Sequence, residues 1–179
     1  MLSGRRILLG ITGGIAAYKS AYLARRLVGQ GAEVRVIMTA SAQEFVGSQT
    51  LAAITGHDVQ TELFAGSSPS PHTDLASWAE IIVVAPATTN TLGKLAGGLA
   101  DDLLSNTLLA ARCPVLLAPA MHTEMWEHPA TQRNVSRLID DGHRMVGPES
   151  GALAGGDEGV GRMAEPEQIV AALEKLLAG

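Results

Sequence analysis

The chain reads as a doubly wound α/β domain built on a parallel sheet. Three observations predict it. Ile7-Leu8-Leu9-Gly10-Ile11 and Ile81-Ile82-Val83-Val84-Ala85 are apolar runs without polar alternation, the pattern of strands buried on both faces. Stretches of helical periodicity separate such runs. Glycines and prolines punctuate the junctions. Strands alternating with helices imply right-handed crossovers and helices on both faces of the sheet.

The elements follow in order. The first strand, 7–11, gives way to a turn at Thr12-Gly13-Gly14. Ile15 to Val28 is predicted helical: Ala16, Ala17, Leu23, Ala24, Leu27 and Val28 fall on helical spacing, and Gly29 and Gly31 end it. Residues 33–38 form a second strand. Residues 41–56 are expected to be one helix closing at Gly56, residues 65–71 a loop, and Asp74 to Glu80 a short helix. The third strand, 81–85, should end at Pro86. Asn90 to Ala111 holds one or two helices, with a break at Gly97-Gly98. Pro114 to Ala118 is a fourth strand, Pro119 to Trp126 opens a helix, and 129–140 is another. Arg144-Met145-Val146 is a short fifth strand, and 147–165 is Gly-rich and expected to be irregular. Pro166, tolerated in a first turn, starts a helix reaching Leu177. No repeat or linker divides the chain. The expected organisation is one domain, 1–179, with three layers and a flavodoxin- or Rossmann-like topology.

Composition narrows the function. A chain of 179 residues that is 46% apolar can bury a substantial core. A net charge of −5 lacks the basic footprint of nucleic-acid binding. The single cysteine, Cys113, excludes an internal disulfide and points to a reducing compartment, the cytoplasm. Arg5-Arg6 is followed by only five apolar or small residues before Thr12, too few for a secretory signal. No apolar run approaches the roughly 18–20 residues that span a membrane.

Three polar loops should converge at the carboxyl edge of the sheet, where open α/β sheets bind ligands. Gly10-Ile11-Thr12-Gly13-Gly14-Ile15-Ala16-Ala17 offers bare N–H groups at a helix N-terminus, suited to a phosphate or simply to a tight turn. It is not G-x-G-x-x-G, so the dinucleotide fingerprint is not met. Pro86-Ala87-Thr88-Thr89-Asn90-Thr91 follows the third strand. Thr88 or Asn90 alone would serve as a helix cap, whereas the joint pattern suits a ligand. Pro119-Ala120-Met121-His122 follows the fourth strand. His72, in the loop before a helix, is either an exposed residue or an acid–base group working near neutral pH. His57, His128 and His143 have no motif around them. No pair of His, Cys or acidic residues has metal-ligand spacing. Asp101-Asp102, as neighbours on a helix, would point to different faces and read as capping or salt-bridging residues. Cys113 reads as a small buried hydrophobe.

Pro119-Ala120-Met121-His122-Thr123-Glu124-Met125-Trp126 resembles the Pro-x-Met-Asn-x-x-Met-Trp signature of the homo-oligomeric flavin-containing cysteine decarboxylases, with His122 in place of Asn. The likeness extends over Gly10 to Lys19, His72 with Leu75-Ala76, Pro86 to Thr91, Gly147 to Gly151 and Gly161 to Pro166. It implies FMN, held by Gly13, Gly14, Ile15, Ala16, Thr39, Phe45, Pro86, Ala87, Thr88, Asn90 and Met121. It implies homotrimers with the flavin at subunit interfaces, sometimes assembled into dodecamers, so that His72 acts as acid–base group on a flavin held mainly by a neighbour. His122, Met121, Met125 and Gly155 would face the substrate, a cysteine-terminated peptide or phosphopantothenoylcysteine.

The implied chemistry needs the cofactor. A carboxylate beside an amide-bearing carbon loses CO2 reluctantly, because the resulting carbanion has nowhere to delocalise. Removing hydride from the cysteine Cβ turns the thiol into a thioaldehyde, an electron sink that lets CO2 leave and an enethiolate remain. The coenzyme A enzymes then return the electrons, and resemble a group with a Cys in a Leu-Ala-Cys-Gly-Asp flap. Here the flap reads Leu153-Ala154-Gly155-Gly156-Asp157. With Gly155 for Cys and His122 for Asn, the expected activity is oxidative decarboxylation of the C-terminal cysteine of a ribosomally made peptide, stopping at the enethiol. The alternatives are phosphopantothenoylcysteine decarboxylase of coenzyme A biosynthesis and a non-catalytic flavin-binding partner protein. The synthetase domain often fused to the bacterial coenzyme A enzyme is not expected.

Overall fold

The computed structural model describes residues 2–64 and 68–178. β1 (Arg6–Ile11), β2 (Glu33–Met38), β3 (Ile81–Ala87), β4 (Val115–Pro119) and β5 (Arg144–Met145) form one parallel sheet, ordered β2-β1-β3-β4-β5. The three-layer doubly wound fold is therefore as expected. The chain steps from β1 outward to β2, then returns to the other side of β1 as β3. The switch point lies between β1 and β3, so the loops leaving these two strands part toward opposite faces.

Helices cover both faces. α1 (Tyr18–Gly29), α3 (Ser48–Thr55) and α9 (Pro166–Ala178) enclose a core containing Ile7, Leu9, Ile11, Leu23, Leu27, Leu51, Val83 and Leu173. α4 (Pro71–Trp78), α5 (Thr89–Gly97), α6 (Leu103–Ala110) and α8 (Pro129–Asp140) enclose a second, with Leu8, Leu75, Ile82, Val84, Leu92, Leu104, Leu117 and Leu138. Leu8 and Leu9 enter different cores because successive strand side chains point to opposite faces. That is why the parallel strands carry no polar alternation. Gly10 faces α6, where a Cβ would lie 2.7 Å from Leu104 Cδ1.

Several expected boundaries move. The predicted helix 15–28 is a 3-10 turn at Ile15–Ala17 followed by α1. The single helix predicted over 41–56 is two, α2 (Ala40–Gln43) and α3, divided ahead of Gly47, a residue that costs helix stability and here precedes the second start. α4 begins at Pro71 rather than Asp74, with proline in the first turn. β3 continues through Pro86 to Ala87; the pairing with β4 shifts register between Val84 and Ala87, so proline's missing N–H falls where the regular ladder is interrupted. In the predicted 65–71 loop, residues 65–67 lie outside the described residues, and Pro71 belongs to α4. The helix expected to open at Pro119 begins at Thr123, as α7 (Thr123–Glu127).

The largest correction concerns 147–165. The segment is an antiparallel hairpin of β6 (Glu149–Ala152) and β7 (Glu158–Arg162), with Gly151 paired to Gly159. Its glycines look like loop punctuation, yet Gly151, Gly159 and Gly161 occupy strand positions that other chain atoms approach too closely for a Cβ.

Asp101 and Asp102 do not diverge as helix neighbours. Asp102 is the N-cap of α6 and Asp101 precedes it, so both carboxylates accept from Lys94 Nζ, at 2.7 and 2.8 Å. Asp102 also accepts from Ser105 N–H (2.7 Å), and Ser105 Oγ accepts from the Asp102 N–H (3.1 Å), a reciprocal capping box. Burial raises the Asp102 pKa, but the bonds from Lys94 and Ser105 outweigh it and leave the carboxyl below its ordinary value. A depressed folded-state pKa stabilises above the unfolded value, about 3.9, and that stability is lost as pH falls through the folded value. Asp102→Ala should therefore cost about 1–2 kcal/mol at neutral pH in urea unfolding. The gap to the parent should narrow below about pH 4. A gap independent of pH would show that the carboxylate's charge plays no part.

Candidate active site

The site is built where β1, β3 and β4 end. Thr12, directly after β1, is buried, and its hydroxyl needs partners. Thr12 Oγ1 donates to the Pro86 carbonyl (2.7 Å) and accepts the Thr88 N–H (3.1 Å). Thr88 Oγ1 lies 3.2 Å from Thr91 Oγ1. This network pins the loops leaving β1 and β3 to each other across the switch point. Thr12 was not among the predicted site residues; a polar side chain ending an otherwise apolar buried strand was the signal.

Both loops run into uncapped helix starts. Gly14 precedes the 3-10 turn and Thr88 precedes α5, and neither makes a side-chain cap bond. The first N–H groups of each helix therefore lack intrahelical acceptors and carry partial positive charge. A Cβ on Gly14 would only reach ordinary contact with Thr88 Cγ2, at 3.7 Å. Gly13 is different: a Cβ there would collide with Ser41, so its glycine is required by packing of the β1 loop on α2. Thr39 Oγ1 is spent capping α2, accepting from Ala42 N–H (3.3 Å). Pro86 and Ala87 are buried within β3, whereas Asn90 is exposed. Ile15, with Tyr18 and Tyr22, forms an apolar stripe 59%, 51% and 63% exposed, and Phe45 nearby in sequence to Thr39 is 48% exposed.

The β4 loop joins through Met121, whose Sδ accepts from Thr89 Oγ1 (3.1 Å). Over residues 121–123 lies the hairpin. Met121 N–H donates to the Gly161 carbonyl (3.0 Å). A Cβ on Gly161 would strike the Met121 carbonyl, and one on Gly159 would strike Thr123 Oγ1. Both glycines lie on one face of β7, which is bare so that the strand can lie directly on the loop. Thr123 Oγ1 is buried beneath it without a partner. At the hairpin tip, the Cβ position of Gly155 lies 3.3 Å from His122 Cε1 and 3.6 Å from Asp157 Oδ2. His122 is the exposed N-cap residue of α7, and Met125 is 46% exposed on the same helix. Lys19 Nζ donates to Glu165 Oε1 (2.7 Å), and Arg162 to the same oxygen (2.8 Å), tying α1 to the hairpin's exit. The hydrogen bond from Lys19 leads in holding the Glu165 carboxyl below its ordinary value.

His72 is not in a loop: it lies in the first turn of α4, half-buried, with Nδ1 buried and unpartnered. α4 runs antiparallel to the β3 strand it feeds, so this end faces the carboxyl edge. Among the described residues, no hydrogen bond ties His72 to the three loops of its own chain. The other histidines have local settings. His128 Nδ1 caps α8 by accepting from Ala130 N–H (3.1 Å), His57 lies 3.9 Å from Glu33, and burial pushes His143 down. Cys113 precedes β4 at the opposite edge, partly buried against the second core, and burial pushes its thiol up. Among the described residues, no group of three His, Cys, Asp or Glu could hold a metal, and no helix is long and apolar enough to cross a membrane.

This geometry has close counterparts. The Flavoprotein family model matches residues 1–178. The coenzyme A biosynthesis bifunctional protein CoaBC of Bacillus subtilis is 51% identical over 180 residues, covering 99% of this chain and 44% of its own length. The chain thus spans less than half of that relative. Among solved structures, a Cys-to-Ser mutant of PPC decarboxylase complexed with pantothenoylaminoethenethiol superposes with a TM-score of 0.89 at 34% identity, covering 98% of this chain and 100% of that one. The FMN-dependent cysteine decarboxylase SpaF superposes with a TM-score of 0.85 at 35% identity, covering 99% of both chains.

These likenesses overturn the expectation of a peptide-modifying oxidative decarboxylase. The 51% match is to a coenzyme A enzyme and covers almost the whole chain. The two departures that suggested otherwise, His122 and Gly155, touch each other and amount to one local rearrangement under the hairpin tip. One altered contact does not outweigh an alignment of 180 residues. With the family model matching almost its entire length, the chain belongs to the Flavoprotein family and, within it, to the flavin-containing cysteine decarboxylases.

Proposed function

We propose that this chain decarboxylates phosphopantothenoylcysteine with bound FMN, as a cytoplasmic homotrimer. The observation that carries the substrate is the 51% identity, over 99% of the chain, to a coenzyme A biosynthesis protein.

The residues fit the cofactor. The N–H groups of Gly14, Ile15 and Ala16 form an uncapped helix start of the kind that accepts a phosphate. Thr88 and Asn90 supply polar side chains at the second uncapped start, and Thr39 and Gly13 shape the wall from the β2 side. Pro86 and Ala87, buried in β3, shape this edge from behind, while exposed Phe45 and half-buried Met121 offer apolar surface to a flat ring. When bound, the flavin supplies hydride acceptance from the cysteine Cβ and hydride return after CO2 has left. His72 is the acid–base group that takes the thiol proton as the Cβ is oxidised; its Nδ1 has no partner within its own chain. His122, Met121 and Met125 line the substrate side, with the hairpin tip at Gly155 beside them. Trimer formation is supported by Ile15, Tyr18 and Tyr22, an exposed apolar stripe beginning at the flavin loop. A second copy on this stripe would bury it and bring His72 to a flavin held by its neighbour.

Purified protein given phosphopantothenoylcysteine should release CO2 and yield saturated phosphopantetheine, read by mass. Absence of CO2 release would overturn the reading, and light scattering should give the trimer mass. His72→Asn should keep FMN and fold while turnover falls about 10²–10⁴-fold; unchanged turnover would remove His72 from the chemistry. Thr12→Val leaves the Pro86 carbonyl and the Thr88 N–H without their buried partner. It should cost about 1–3 kcal/mol in unfolding and weaken FMN retention on gel filtration. Undiminished stability and retention would mean that the two loops are fixed by something else.

A further inference from the structure

The hairpin tip poses a chemical problem that rests on the reading of this chain as a phosphopantothenoylcysteine decarboxylase. Once CO2 has left, the substrate is an enethiolate. Reaching the saturated thiol takes one proton on the carbon that CO2 vacated, which gives the thioaldehyde. One hydride on the carbon bearing sulfur then gives the thiolate. The hydride is the pair of electrons and the hydrogen withdrawn from that carbon earlier in the same turnover and held by the reduced flavin. Electrons therefore balance within one cycle, and the protein has only to provide the proton.

The solved PPC decarboxylase that carries an enethiol ligand is a Cys-to-Ser mutant. This chain has no thiol to offer at the hairpin. Its one cysteine, Cys113, precedes β4, while the site follows it, and five strand residues set the two ends roughly 17 Å apart. Gly155 at the tip has no side chain. Thr123 Oγ1 is buried under Gly159, and a hydroxyl is a poor acid near neutral pH. The group with a transferable proton lying against Gly155 is the His122 imidazole, 3.3 Å from the Cβ position, with Asp157 Oδ2 flanking the same point. Without a Cβ at Gly155 the ring sits against the tip free of the tight 3.3 Å contact that a side chain there would make.

We propose that His122 is the proton donor of the return step, delivering a proton to the carbon vacated by CO2. The imidazole works under the glycine tip of the hairpin and is reprotonated from solvent, to which His122 is exposed.

The test is His122→Asn in the FMN-loaded chain, under anaerobic conditions with phosphopantothenoylcysteine. CO2 release is recorded beside the products as the reference, because His122 also lines the substrate side. The ratio of saturated thiol to enethiol, two hydrogens lighter by mass, should fall about 100-fold or more, and the flavin should finish bleached. Adding Gly155→Cys to that variant places a thiol in the space the ring leaves and should restore the saturated product. A readout free of turnover is the His122 Cε1–H resonance of the FMN-loaded parent, which should shift when phosphopantetheine is added. Saturated thiol from His122→Asn at the parental rate would overturn the proposal and leave the decarboxylase reading intact. So would loss of CO2 release with FMN still bound, which would place His122 earlier in the cycle, or an unmoved resonance. A parent that releases no CO2 would overturn the underlying reading instead. His122 is exposed, so circular dichroism and FMN absorbance should match the parent; if Asn fails to fold, His122→Gln replaces it.

Discussion

The bond from Thr12 Oγ1 to the Pro86 carbonyl is the constraint on which the site depends. In a sheet ordered β2-β1-β3-β4-β5, the chain leaves β1 toward one layer of helices and β3 toward the other. Left alone, the two loops would part and water would fill the gap. Thr12 is buried at that point, so its hydroxyl must be satisfied by protein, and the nearest groups belong to the opposite loop. One side chain thereby sets the spacing of two uncapped helix starts. That spacing decides whether the bare N–H groups of the helix starts that follow Gly14 and Thr88 make a single site or two separate turns.

The second constraint is an absence of side chains. β7 can lie on residues 121–123 because Gly159 and Gly161 present hydrogen where any other residue would strike Thr123 or Met121. Gly161 meets the Met121 backbone and Gly159 the Thr123 side chain, and the Met121 N–H to Gly161 carbonyl bond fixes the contact. A lid held this way keeps its register while its tip, at Gly155, reaches over His122. The Lys19–Glu165–Arg162 ion pairs then anchor the hairpin's exit to α1, the helix that begins at the first loop. The hairpin and the β1 loop are therefore positioned through the same helix.

Much of this was legible from residue order. The buried strands announce themselves as apolar runs, and the loops after β1, β3 and β4 follow from topology. What sequence could not give is proximity. Glycines in 147–165 suggest irregular chain, because a glycine required for close approach looks the same as one required for a turn. Asp101 and Asp102 seemed to diverge, because their meeting on Lys94 depends on their lying ahead of α6 and not within it. His72 was placed before its helix, because Pro71 starts that helix earlier than the apolar spacing suggests. Thr12 carried no motif, and its importance appears only when Pro86 is seen beside it.

The misjudged function has the same origin. His122 and Gly155, counted on separate segments, look like two independent losses from a catalytic set. In space they are one contact, with His122 Cε1 3.3 Å from where a Cβ on Gly155 would lie. A large residue on the loop and a small one on the lid conserve volume between them, as paired changes in packed surroundings do when the fold is to be kept. The pair is therefore one local difference from the signature, which is why the 51% identity with a coenzyme A biosynthesis protein outweighs it.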